Sequence, residues 1–225
     1  MKKVSKKYAA SLALIDKSKK YSLDEACELV KKTATAKFDE SIDVSFNLNI
    51  DPKQADQQLR GALTLPNGNG KTVKVLAITD KVSEATAAGA DYVGQQDMLD
   101  KIQKENWFDF DVIVATPNMM GLLGRMGRVL GPKGLMPNPK TGTVTPDIAS
   151  AIKEVKNGKI SYRNDKEGNL AVNFGKASFD TAKLAENLKA VVDTVNKMRP
   201  AAVKGTYILS ATISSTYGPA IKLAI

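Results

Sequence analysis

The apolar residues of this chain follow one strand pattern at its two ends and another in its middle, which limits the folds open to it more than any single motif. Residues 41–50 alternate Ile42, Val44, Phe46, Leu48 and Ile50 with polar side chains and stop at Asp51-Pro52. A period of two places all the apolar side chains on one face, so this is a half-buried strand whose inner face needs helices to cover it. After Pro66-Asn-Gly-Asn-Gly70 the runs become short and nearly continuous in apolar residues: Val73-Lys-Val-Leu-Ala-Ile78, Tyr92-Val93 and Phe110-Asp-Val-Ile-Val-Ala115. Helical patterns at 82–90, 98–104, 119–129 and 148–155 lie between and after them. Strands of that kind alternating with helices indicate a doubly wound parallel sheet.

From Lys159 the alternation returns. Lys159-Ile-Ser-Tyr-Arg163 and Leu170-Ala-Val-Asn-Phe174 flank Asp165-Lys-Glu-Gly168, a hairpin signal. A helix is expected over 181–197, and residues 207–215 alternate as a last strand. At the amino end, 8–15 has helical spacing, and Ser22-Leu-Asp-Glu25 is a capping box opening a second helix. The economical architecture is an α+β domain, an antiparallel sheet with helices, split between residues 1–67 and 159–225. A Rossmann-like three-layer α/β domain, 68–158, is inserted within it. Pro66, Gly68, Gly70 and Gly158 stand at the junctions, as a hinge would require.

Lys and Arg number 33 against 24 Asp and Glu, which points to a polyanionic partner. The insert from 68 to 159 holds 12 basic and 10 acidic residues, and the ends hold 21 and 14, so the split domain carries most of the surplus. The chain has no histidine, which removes the usual general base, the commonest metal ligand and Ser-His or Cys-His nucleophiles. Cys27 is alone and reads as a small buried residue, so no disulfide and no cysteine metal cluster can form within the chain. No metal, cofactor or catalytic residue is expected. No apolar run reaches the roughly 18 residues of a membrane span, and the chain reads as cytoplasmic with no membrane partner.

Several segments have two readings. Gly131-Pro-Lys-Gly-Leu-Met-Pro-Asn-Pro-Lys-Thr-Gly-Thr-Val144 cannot be a helix or a central strand, because its prolines and glycines fix a rigid loop. It is either a presented surface or a crossover with incidental lysines. Asn67-Gly-Asn-Gly-Lys71 looks like a phosphate loop, but that needs a helix after the glycines and here a strand follows, so a hinge or turn is the better reading. Gly124-Arg-Met-Gly127 lacks the dinucleotide order. Lys37 and Phe38, directly before a strand, can take a phosphate and a base or sugar face, or Phe38 can cap the core. Arg163 and Lys166 are either phosphate contacts or solvated turn charges. Ser214-Ser-Thr-Tyr-Gly-Pro219 is either a backbone-contacting exit or an ordinary turn, and Lys2 to Lys7 is either a frayed basic tail or one ordered by RNA.

Ala34-Thr-Ala-Lys-Phe-Asp-Glu40, Ala88-Gly-Ala-Asp-Tyr-Val-Gly94, Leu130-Gly-Pro-Lys-Gly-Leu-Met-Pro-Asn-Pro-Lys140, Arg163-Asn-Asp-Lys166, Gly175-Lys-Ala-Ser-Phe179 and Thr216-Tyr-Gly-Pro219 together resemble the bacterial large-subunit ribosomal protein L-one family, over essentially the whole chain. The resemblance implies a split RNA-binding domain docked on the mobile side stalk of the 23S rRNA. It further implies a role in releasing deacylated tRNA from the E site, and translational repression through the leader of the protein's own operon mRNA. Its implied RNA surface falls on Lys37, Phe38, Ser41, Arg163, Asp165, Lys166, Ser210, Thr216, Tyr217 and Gly218, with Glu28 adjoining and Arg125, Lys133 and Lys140 secondary. The family commonly has methionine where this chain has Tyr217. The resemblance also implies a non-enzymatic protein located on the ribosome and monomeric when free. The rival classes are a nucleotide-dependent enzyme built on the insert and a general nucleic-acid chaperone.

Overall fold

A computed structural model describes residues 5–225, so residues 1–4, the start of the basic tail, lie outside the described residues. The chain forms two compact units, one of residues up to Gly70 with Tyr162–Ile225, the other Lys71–Ser161.

The first unit begins with α1 (Lys6–Ala13) and α2 (Leu23–Thr33). The capping box works as its spacing predicts: Ser22 Oγ accepts from Glu25 N at 3.4 Å. Asp24 and Glu25 fill the first turn and Lys31 and Lys32 the last, both matching the helix dipole. β1 (Ser41–Leu48) follows, then β2 (Arg60–Thr64), which the alternation did not reveal.

In the second unit β3 (Val75–Ile78), α3 (Val82–Ala87), β4 (Tyr92–Gly94), α4 (Gln96–Glu105) and β5 (Val112–Ala115) build a parallel sheet in the order β4-β3-β5. The helix expected over 119–129 is instead two short ones, α5 (Met120–Arg125) and α6 (Gly127–Leu130). Gly121, Gly124 and Gly127 explain the break, since each lowers helix propensity within a few residues. α7 (Ile148–Lys156) closes the unit. Leu76, Ile78 and Ile113 face Leu99, Ile102, Leu123 and Leu130 on one side of the sheet. Val75, Ala77 and Val114 face Ala85, Ile148, Ile152 and Val155 on the other. The result is the three-layer, doubly wound arrangement the apolar runs predict.

β6 (Lys159–Arg163) and β7 (Asn169–Lys176) do not form the expected hairpin. The turn between them is tight, with Asp165 N donating to Asn169 O at 2.8 Å. β6 nevertheless belongs with β2 and β7 with β1, so the strands part into different sheets. α8 (Thr181–Lys197), β8 (Ile208–Ser215) and β9 (Ile221–Lys222) complete an antiparallel sheet in the order β7-β1-β8-β9. Val44 lies opposite Val172 and Ile213, and Phe46 opposite Leu170 and Ala211. All six are buried beneath α2 and α8, which also pack on each other. Asn187 of α8 is fully buried and satisfied. Its Nδ2 donates to Gly68 O at 2.8 Å and Phe174 O at 2.9 Å, and its Oδ1 accepts from Asn67 N at 3.1 Å.

Candidate nucleic-acid interface

The strand period that buries Phe46 turns its neighbours the other way. Ser41, Asp43, Ser45 and Asn47 of β1, Ser210, Thr212 and Ser214 of β8, and Asn169 and Asn173 of β7 share the outer face, and none of them is buried. The sheet therefore has one face under helices and one polar face in solvent, with the donors and acceptors a sugar-phosphate backbone uses. Cross-strand bonds order it: Asn173 Nδ2 donates to Asp43 Oδ1 at 2.9 Å. Ser210 stands opposite Asn47, next to a bulge at which Leu48 pairs with Ile208, leaving Leu209 as the extra, exposed residue.

At the Ser41 end, two loops meet. Phe38 and Tyr217 are 51% and 66% exposed, and their rings touch edge to face with centroids 5.7 Å apart. With Lys37, Thr35, Ala36, the α1 N-cap Ser5 and the α1 residues Lys7 and Tyr8 they line a groove of about 600 Å³. Beneath it lies Glu40, 1% exposed, whose carboxylate accepts from Ala36 N at 2.7 Å and Tyr217 N at 3.0 Å. Burial by itself would raise this carboxyl. The donors on Tyr217, Ala36, Ser215 and Thr35 outweigh it and hold the group below the ordinary glutamate range. One buried charge thus fastens both loops to the strand. Thr216 Oγ1 accepts from Ser41 N at 3.2 Å, and Lys176 Nζ donates to Ser41 Oγ at 2.9 Å. Gly218 has no room for a Cβ, which would run into Ser215 Oγ and come close to Thr33.

The opposite end of β1, roughly 23 Å away at ~3.3 Å per residue, carries Arg163, Asp165 and Lys166. They line a second groove of about 480 Å³ with Pro52, Lys53 and Gln58. Asp165 organises the turn: its carboxylate accepts from Asn169 Nδ2 at 3.0 Å, and from Asn169 N and Glu167 N, both at 2.8 Å. The Asn169 bonds lead in holding it below the ordinary aspartate range. Among the described residues the side chains of Lys37, Lys53, Arg163 and Lys166 have no hydrogen bond or ion pair, so their charge is uncompensated.

The remaining candidates are elsewhere. Glu28 is exposed on α2 and pairs with Lys32 at 4.0 Å. Arg125 is exposed on α5, Lys133 Nζ sits 4.0 Å from the Phe108 ring centroid, and Lys140 N donates to Asn138 Oδ1 at 2.8 Å. These three belong to the second unit, where the 131–144 loop has structural work: Ala115 N donates to Thr143 O at 2.9 Å, and Leu135 and Met136 pack against the core. Among the described residues no cluster of Cys, Asp or Glu is placed to hold a metal, and no helix is long and apolar enough to cross a membrane.

The sequence model of the Ribosomal protein L1p/L10e family matches residues 30–219. The chain belongs to that family. It is similar to the large ribosomal subunit protein uL1 of Mesoplasma florum, 58% identical with both chains covered completely. The uL1 of Limosilactobacillus fermentum is 58% identical over 99% of this chain and 97% of that protein. That of Mycoplasma capricolum is 54% identical over 99% of each. The family consists of structural ribosomal proteins and not enzymes, which removes the nucleotide-enzyme reading of the second unit. At the interface in the first unit, Glu40, Lys176, Tyr8 and Lys53 are additions that residue patterns alone did not single out, and Lys7 was marked only as part of the basic tail. An acid or lysine beside a strand has no sequence signal separating a buried organiser from a solvated charge.

Proposed function

We propose that this protein is a constituent of the large ribosomal subunit that binds the side-stalk region of 23S rRNA through the first unit. The observation that carries the reading is the open polar sheet face bounded by an unpaired cation cluster at each end of β1. Lys37, Arg163 and Lys166 contact phosphates, and Ser41, Ser210, Thr216 and the backbone at Gly218 contact sugar and phosphate. Phe38 and Tyr217 contact base or ribose faces. Asp165 and Glu28 act at the margins, and Arg125, Lys133 and Lys140 are secondary. A surface that reads a folded RNA shape accepts any RNA presenting it, which supports binding to the operon's own mRNA leader and repression of its translation. Assistance to E-site tRNA release follows from a place on a mobile stalk, with Pro66, Gly68, Gly70 and Gly158 as the hinge between residues 1–67 with 159–225 and residues 68–158. The protein is cytoplasmic, on the ribosome, and monomeric when free.

Competition between a stalk-rRNA fragment and an unrelated structured RNA at near-physiological salt tests this. The expected preference is of order a thousandfold, the low end for specific nucleic-acid binders. Equal binding to both would make the protein a general nucleic-acid chaperone.

A further inference from the structure

We propose that the groove at the Ser41 end of β1 is a pocket for a single unstacked nucleobase, walled by Tyr8, Phe38 and Tyr217 and rimmed by Lys7 and Lys37. The inference rests on the RNA-binding reading above and adds the chemical identity of what enters this groove and the participation of α1.

Three observations carry it. Phe38 and Tyr217 are the only aromatic side chains among the strongly exposed large apolar residues described, and they touch each other. Rings left in solvent next to one another form a stacking platform. The third wall comes from a separate element: Tyr8 lies in the first turn of α1, where its N donates to Ser5 Oγ at 3.2 Å.

The walls are also held in place before any ligand arrives. α1 is tied down by Ser11 Oγ, which donates to Thr33 O at 3.3 Å in a buried contact. The loop carrying Phe38 and the turn carrying Tyr217 are both fastened by Glu40. Gly218 lets that turn approach Thr33 closely. Glu40 is the acid that binds these loops, and it lies covered beneath them, so the open surface presents rings and lysines. That combination suits an aromatic group carrying negative charge. A base-paired stem hides its base faces in its own stack and cannot use such walls. A looped-out or bulged nucleotide offers the face to the rings and its flanking phosphates to Lys7 and Lys37.

The test uses the full chain and two RNAs: the stalk-rRNA fragment, and a fully paired duplex of the same length. Tyr8→Ala and Tyr217→Ala should each weaken binding to the stalk fragment about tenfold or more. They should leave duplex binding and the salt slope unchanged, since stacking releases no counterions. Tyr217→Phe, which keeps the ring, should restore affinity. Unchanged thermal unfolding shows that the loss is not one of folding, and the exposure of Tyr217 makes that substitution benign.

If both alanine variants bind the stalk fragment like the parent while Lys166→Ala weakens it, the pocket is refuted and the RNA-binding reading survives. If Lys166→Ala and Lys37→Ala also change nothing and the stalk fragment is not preferred, both fail. Equal losses on the duplex, or no rescue by Tyr217→Phe, would also overturn the nucleobase assignment.

Discussion

The two units differ in how their sheets meet solvent and in how their charges are met. β3 is buried at four consecutive residues, because helices cover both faces of its sheet. β1 buries every second residue and leaves the others on an uncovered polar face. In the second unit Lys71, Lys74, Lys81, Lys104, Lys156 and Lys159 all have carboxylate partners within 4 Å. In the first, the lysines and arginine at the two ends of β1 have none among the described residues. The first unit has pairs of its own at Lys19, Lys32 and Lys183, so the contrast is local: the cations beside the open sheet face are the ones left for a partner. Individual surface ion pairs contribute little to stability, but each one neutralises a cation that could otherwise meet a phosphate.

Substitutions in the two sheets give the largest test of this contrast. Leu76→Asp and Ala77→Asp, neighbours in β3, should both cost more than about 4 kcal/mol, because either side buries an unpaired charge. In β1 the neighbours should behave oppositely: Phe46→Asp should be equally severe and Ser45→Asp should stay within ~0.5 kcal/mol. Urea unfolding measures all four, and a severe Ser45→Asp would mean that the outer face is covered.

A smaller effect is expected at Glu40. Glu40→Ala leaves the part-buried N–H groups of Ala36 and Tyr217 without their acceptor, at a cost of about 1–2 kcal/mol. The folded carboxyl lies below its ordinary range, so its contribution is present above the unfolded value and is lost as pH falls through the folded one. Acid titration of stability should therefore be shallower for Glu40→Gln than for the parent, and identical curves would deny Glu40 its organising part.

The smallest effects are those of single cations on RNA binding. Lys37→Ala and Lys166→Ala should each lower the salt slope by up to ~0.9 per lost phosphate contact. Lys140→Ala, a secondary contact in the second unit, should lower it by less than either. A Lys140 effect as large as the others would erase the distinction between the units.

Much of this architecture was legible in the residues because two periods are easily told apart. Alternation located β1, β7 and β8, and continuous apolar runs located β3 and β5. β2 and β9 were missed because they are short and only partly apolar. The Asp165 turn looked like a hairpin because a tight turn and two flanking strands are all a local pattern contains. Which sheet each strand joins is decided by distant partners such as Leu59, whose N donates to Asn164 Oδ1 at 2.8 Å. At the interface, Lys37, Phe38 and Tyr217 were visible from the family motifs. Glu40 closes the same motif, but its part, like that of Tyr8, was not legible, since both depend on loops far apart in sequence meeting above one strand.

Amide hydrogen exchange of the full chain, with and without the stalk-rRNA fragment, tests the central claim most directly. The account predicts the strongest added protection at 36–41, 163–166 and 210–218, with less at residues 117–145. Protection concentrated in the 131–144 loop, with none at either end of β1, would contradict it.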